Sequence, residues 1–220
     1  MIELVIFDFD GTLVDSEARI VGAMQAAFVA AALAPPAPAA VRAIIGLSLE
    51  HAVASLYRSD DAQLHGRLVT GYRTHYARLA GIPMPLFDHC KATLAELAGV
   101  GQLLAIATGK SRGGLASALA ECGIGHYFDS TRTADDCPPK PDPTMLREIL
   151  AELGIAPARA VMVGDTEYDL RMAQAAGMPA IGVSYGAHAP ARLLDCQPHA
   201  IIDSLAALPA ALQALGAERF

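Results

Sequence analysis

Two aspartates flank a single phenylalanine near the start of the chain. The stretch "FDFDGTLVDSE" runs from Phe7 to Glu17, and Asp8 and Asp10 follow the apolar run Leu4–Phe7. Carboxylates this close repel, at roughly 4 kcal/mol for a ~4 Å separation and an effective dielectric near 20. Either a cation sits between them or one of them holds a proton, and both arrangements serve chemistry. Further polar residues sit at comparable points. Thr108 ends an apolar run and opens "TGKS"; Lys140 lies in "CPPKPDP"; Asp165 and Asp169 lie in "GDTEYD". A cluster of carboxylate oxygens suits a hard cation such as Mg2+, which keeps some of its water. Carboxylates can also attack phosphoryl groups. A phosphate dianion cannot approach unscreened carboxylates. Mg2+ with Lys140 supplies three positive charges, which balance Asp8, Asp165 and Asp169 if crowding keeps Asp10 protonated as a general acid. The Thr108 hydroxyl and the backbone N–H groups after it, from Gly109 on, can hold phosphate oxygens, helped by a helix start near Ser111.

These residues act together only if the fold gathers them. Leu4–Phe9, Leu103–Ala107, Ala160–Val163 and Ala180–Val183 are apolar runs that end in polar or glycine-containing segments, with Ile201–Ile202 as a last short strand. Helical patterns follow most of them. Asp142-Pro143 reads as the cap and first residue of a helix that stops before Gly154. Ser111 reads as the cap of a helix ending near Gly123, and Gly177 closes the helix after "GDTEYD". Alternating strands and helices, with strands apolar on both faces, predict an α/β fold with a doubly wound parallel sheet. Ligands in such sheets bind at the carboxyl ends of the strands, where all these polar residues fall. The stretch from about Ser16 to Pro85 breaks the alternation: it is helical, punctuated by Pro35, Pro36, Pro38, Gly46 and Ser59-Asp60. A core of 1–15 and 86–220 with a helical insertion at 16–85 is expected, joined by linkers near Val14–Ser16 and Gly81–Pro85.

Composition narrows the partners. The 220 residues are 53% hydrophobic and 18% charged, which excludes a disordered chain. A net charge of −7 points away from nucleic acid. Cys90, Cys122, Cys137 and Cys196 are scattered without a CxxC pair, as reduced thiols would be. The apolar stretch Ile20–Ala34 spans 15 residues, contains Gln25 and stops at Pro35-Pro36, too short for a membrane span of about 20 residues. It predicts a buried alanine-rich helix and no membrane partner. "MIELVIFD" shows neither a basic region nor a cleavage site, so a cytoplasmic protein is expected. His75, His89, His126, His188 and His199 show no metal-ligand spacing, and Glu167 reads as a solvated or supporting residue.

With "DFDGT", "ATGK", "KPDP" and "GDTEYD" in this order, the chain resembles the haloacid dehalogenase superfamily of phosphatases, in the subgroup with a helical cap after the first strand. Phosphoglycolate phosphatase-like proteins are the members it looks most like. The resemblance implies that Asp8 is the nucleophile of an aspartyl-phosphate mechanism and Asp10 the general acid–base. It implies Mg2+ held by the Asp8 carboxylate, the Asp10 backbone carbonyl and Asp165, with Asp169 supporting through water. Thr108 and Lys140 take the phosphate-binding and charge-stabilising positions. A small-molecule phosphate ester is the implied substrate. Cap loops contact the leaving group in this family, so "GLSLEH" directs attention to Ser48 and His51, with Leu47 between the glycine and Ser48; from the residues alone Ser48 reads equally as a helix N-cap and His51 as a surface residue. Lys110 and Arg112 are further candidate substrate contacts. A phosphosugar mutase shares the same core residues and is the alternative reading. A dehalogenase needs no acid at the position of Asp10, and a non-enzymatic phospho-receiver lacks a helical insertion.

Overall fold

The computed structural model describes residues 1–217. Six parallel strands form one sheet: β1 (Leu4–Phe7), β2 (Leu103–Ala107), β3 (Ser130–Arg132), β4 (Ala160–Gly164), β5 (Ala180–Val183) and β6 (Ala200–Ile202), in the spatial order 3-2-1-4-5-6. Strand order reverses at the β1–β4 pair, the point where doubly wound sheets bind ligands. Alternate residues of the central strands feed two separate cores. Val5, Phe7, Leu104, Ile106, Val161 and Val163 pack on one face, while Leu4, Ile6, Ala105, Ala107, Ala160 and Met162 pack on the other. Burial on both faces is why these strands read as continuous apolar runs instead of alternating ones.

Helices cover both faces: α5 (Cys90–Gly99), α6 (Arg112–Cys122), α7 (Thr144–Leu153), α8 (Glu167–Ala175), α9 (Pro190–Leu194) and α10 (Leu208–Ala217). The Ser111 hydroxyl caps α6 by accepting from the Gly114 N–H, and Gly123 ends it in the left-handed conformation. Two expectations shift. The helix expected to begin at Pro143 begins at Thr144, because the Asp142 carboxylate accepts from the Thr144 N–H and leaves Pro143 as the flanking residue. The first strand stops at Phe7, not Phe9, because the chain turns through Asp10 and Gly11. The edge strand β3 has no counterpart in the sequence reading: three residues, Ser-Thr-Arg, carry no apolar run to mark it.

Between β1 and α5 stand four helices, α1 (Glu17–Ala30), α2 (Pro38–Arg42), α3 (Leu49–Leu56) and α4 (Ala62–Arg78), and no strand. They surround an apolar cluster of their own, built on Ile20, Met24, Phe28, Val41, Val53 and Leu68. The chain segments leaving and re-entering the sheet lie side by side: the Asp15 N–H donates to the Pro85 carbonyl at 2.9 Å and the Phe87 N–H to the Leu13 carbonyl at 3.0 Å. Among the described residues no helix is long and apolar enough to cross a membrane. All four cysteines are free and buried; burial pushes the Cys90 thiol up to about 12, so it stays protonated and inert at neutral pH.

Candidate active site

Asp8 extends β1 by one residue, its N–H donating to the Val163 carbonyl at 2.9 Å. Asp165 and Asp169 follow β4, and Lys140 reaches in from the loop before α7. Asp8, Asp165 and Asp169 are fully or almost fully buried, and each offers an oxygen within 4.8 Å of the others. The Lys140 ammonium, also buried, donates to Asp8 Oδ1 and to Asp169 Oδ1, both at 2.6 Å. Asp169 Oδ2 closes a capping box at the start of α8, accepting from the Thr166 N–H and hydroxyl. "TEYD" carries the signature of that box; it fixes the rotamer that presents Oδ1 to Lys140. Asp165 Oδ1 accepts from Thr12 Oγ1 at 2.9 Å and its Oδ2 from the Ala187 N–H at 2.8 Å. Gly11 makes room: with φ +83 it turns the chain beneath Asp165, and a Cβ there would lie 2.2 Å from Asp165 Oδ2.

Three buried carboxylates face one ammonium, so with all three ionised two negative charges are left without a partner. Burial, then the neighbouring carboxylates Asp169 and Asp165, push the Asp8 carboxyl well above its ordinary range in spite of Lys140. Burial and the charge of Asp169 raise the Asp165 carboxyl to about 7. Burial acts against the Lys140 charge, but Asp169 and Asp8 outweigh it and hold the ammonium firmly protonated. Asp8 Oδ2 is buried with no hydrogen-bond partner among the described residues. An orphaned oxygen in an all-oxygen cluster with two charges to spare fits a divalent hard cation.

Asp10 is arranged differently. Its Oδ1 accepts from Ser16 Oγ at 2.5 Å and from the Lys110 ammonium at 2.8 Å. The lysine that pairs with it lies 100 positions away in the chain, two residues after Thr108. Thr108 is buried at the end of β2, and its Oγ1 accepts from the Lys110 N–H at 3.2 Å. Gly109 lies directly under the loop between α2 and α3: a Cβ there would come within 2.5 Å of the Leu47 carbonyl, so only glycine lets that loop sit on the sheet edge.

Above this edge a cavity of about 450 Å³ opens between the sheet and α1–α4, lined at its floor by Asp8, Asp10, Thr108, Gly109 and Lys110. Ser48 and His51 do not line it. Ser48 caps α3 by accepting from the His51 N–H, its hydroxyl pairs with His51 Nδ1, and His51 is exposed. The helix start claims both side chains, and Leu47, Leu49 and Glu50 face the cavity in their place. Arg112 pairs with Asp136 on the surface and is not part of the lining. Residues the sequence reading passed over, Arg19, Tyr72 and Tyr76, complete the upper wall. Glu167 pairs with Arg171 and Arg192.

A family model described as haloacid dehalogenase-like hydrolase matches residues 5–183, which takes in every residue of the floor. The chain belongs to the haloacid dehalogenase-like hydrolases. A Dickeya dadantii protein named "Probable phosphatase IndB" is 37% identical over 96% of this chain and 94% of its own length. A phosphoglycolate phosphatase of Yersinia pseudotuberculosis is 33% identical over 93% and 90%. A solved haloacid dehalogenase-like hydrolase of Streptococcus pneumoniae superposes with a TM-score of 0.84 at 27% identity, covering 96% of this chain and 98% of that one. This haloacid dehalogenase-like chain is accordingly an enzyme of the phosphatase class.

Proposed function

We propose that this phosphatase hydrolyses small-molecule phosphate monoesters through an aspartyl-phosphate on Asp8, with Mg2+ held by Asp8, Asp165 and the Asp10 backbone carbonyl and supported by Asp169. The observation that carries this reading is the buried trio with its two uncompensated charges and the orphaned Asp8 Oδ2. When bound, Mg2+ neutralises the trio and lets a phosphate dianion approach it. An Asp8 carboxylate oxygen attacks phosphorus, and the bond from phosphorus to the ester oxygen breaks. Asp10, which takes up a proton once the arriving dianion has drawn Lys110 away from it, gives that oxygen the proton and releases the alcohol. The Asp10 carboxylate then takes a proton from water, whose oxygen attacks phosphorus and breaks the Asp8–phosphorus link. Lys140 keeps the Asp8 carboxylate oriented by its hydrogen bond. Thr108, Gly109 and Lys110 receive the phosphate oxygens; a dianion arriving beside Lys110 draws the ammonium from Asp10 Oδ1. Residues 16–85 act as a cap whose closure excludes water, and the paired linkers at Leu13–Asp15 and Pro85–Phe87 are its hinge.

Chelation tests the metal. Excess EDTA is expected to abolish phosphate release and added Mg2+ to restore it, while Ca2+ restores it poorly because its larger, looser shell misplaces the reacting groups. Full activity in EDTA would remove the metal from this reading. Asp10→Asn is expected to slow turnover by about 10²–10⁴-fold, the usual contribution of general acid–base catalysis, and to let phosphoenzyme accumulate because water activation is lost too. Rapid-quench traces that match those of the wild type would take the acid–base role away from Asp10.

A further inference from the structure

We infer that the substrate is a phosphate monoester of an apolar, ring-sized alcohol, and that esters bearing a second anionic group are poor substrates. This deepens the phosphatase reading above and rests on it. The walls above the floor are largely apolar: Ile20, Met24, Ile44, Leu49, Tyr72 and Met84 all face the cavity. At about 450 Å³ the cavity is in the range that encloses a whole organic ligand, far more than a two-carbon acid would fill. The Tyr72 and Tyr76 rings, 5.6 Å apart and inclined at 30°, both line it.

Charge decides against a second anion. Each basic side chain lining the cavity already faces a carboxylate. Arg19 donates to both oxygens of Glu121, at 2.8 and 3.0 Å; Arg73 pairs with Glu50 at 3.0 Å, and Lys110 with Asp10 at 2.8 Å. Asp135 adds a further carboxylate to the lining. Beyond the phosphate site, then, a carboxylate or second phosphate on the leaving group meets no unpaired cation among the described residues. It would also exchange water for apolar walls, which is costly for a charge.

The test is a kcat/KM series with Mg2+ on naphthylmethyl phosphate, phosphoglycolate and pyrophosphate. It is run beside calorimetric binding of the non-hydrolysable naphthylmethylphosphonate and phosphonoacetate. The aromatic ester is expected to lead phosphoglycolate by about 100-fold in kcat/KM, as burial of a ring against the walls implies, and the phosphonates to follow the same order in affinity. Leu49→Lys, which adds an unpaired cation at a half-buried position on α3, is expected to narrow that ratio by at least about tenfold. Phosphoglycolate or pyrophosphate matching or exceeding the aromatic ester in the wild type overturns this inference and leaves the phosphatase reading standing. Absence of phosphate release from every ester, with the phosphonates still bound in the expected order, overturns the phosphatase reading and upholds the apolar preference of the cavity.

Discussion

Asp8→Asn is expected to abolish phosphate release while the protein folds normally. The amide has almost the shape of the carboxylate but cannot attack phosphorus. Its oxygen can take the Oδ1 position and go on accepting from Lys140. Its NH2 then takes the Oδ2 position, where no donor stands among the described residues. The exchange also replaces a group whose ionised form the site disfavours, since burial and then Asp169 and Asp165 hold the Asp8 carboxyl well above its ordinary range in spite of Lys140. Metal-free Asp8→Asn protein should therefore melt at least as high as the wild type. Activity should fall by about 10⁴-fold or more, the scale of losing a covalent nucleophile, and no acid-stable label should transfer from a phosphorylated substrate to the protein. A folded Asp8→Asn protein, confirmed by mass as free of deamidation, that turns over at the wild-type rate would refute the nucleophile assignment.

The parts of this site that could be read from the sequence are those fixed by strand ends. Leu4–Phe7, Leu103–Ala107 and Ala160–Gly164 are buried on both faces, so their apolar runs stand out, and the residue after each is forced to one edge of a parallel sheet. That is enough to bring Asp8, Thr108 and Asp165 together. Lys140 follows no strand, and its place came from resemblance to a family motif; the two 2.6 Å hydrogen bonds give that motif a physical content. β3 was illegible because an edge strand of three residues needs no apolar pattern. Side-chain partners across the insertion were illegible for a different reason. Arg19 meets Glu121 only once residues 16–85 pack against the sheet edge, and Lys110 meets Asp10 only once β1 and β2 lie side by side; local spacing carries no trace of either. Ser48 shows the converse. A serine before "LEH" carries the local signal of a helix cap, and the structure follows that signal over the family expectation of a substrate contact.

Lys140→Met is expected to cost both activity and stability, the second in a way that depends on pH. Lys140 is wholly buried, and its ammonium is the cation that faces Asp8 and Asp169. Methionine fills similar space and leaves three buried carboxylates unanswered, the situation in which removing one partner of a buried ion pair costs about 3–5 kcal/mol. The sign follows from the protonated forms. Asp8 and Asp165 bind protons more tightly folded than unfolded, Asp165 with a value of about 7. Such groups favour the folded state at low pH, and that contribution is lost as pH rises through the folded value. In metal-free wild type the decline is moderated by Lys140; in Lys140→Met nothing moderates it. Urea unfolding of the metal-free variant should therefore give stability near that of the wild type at about pH 5 and a widening deficit through pH 7 to 8. Mg2+ should narrow the deficit by supplying the missing positive charge without restoring turnover, because the Asp8 carboxylate has lost the donor that orients it. Equal stability of the two proteins at pH 8 without metal would show that the trio does not carry the charge assigned to it.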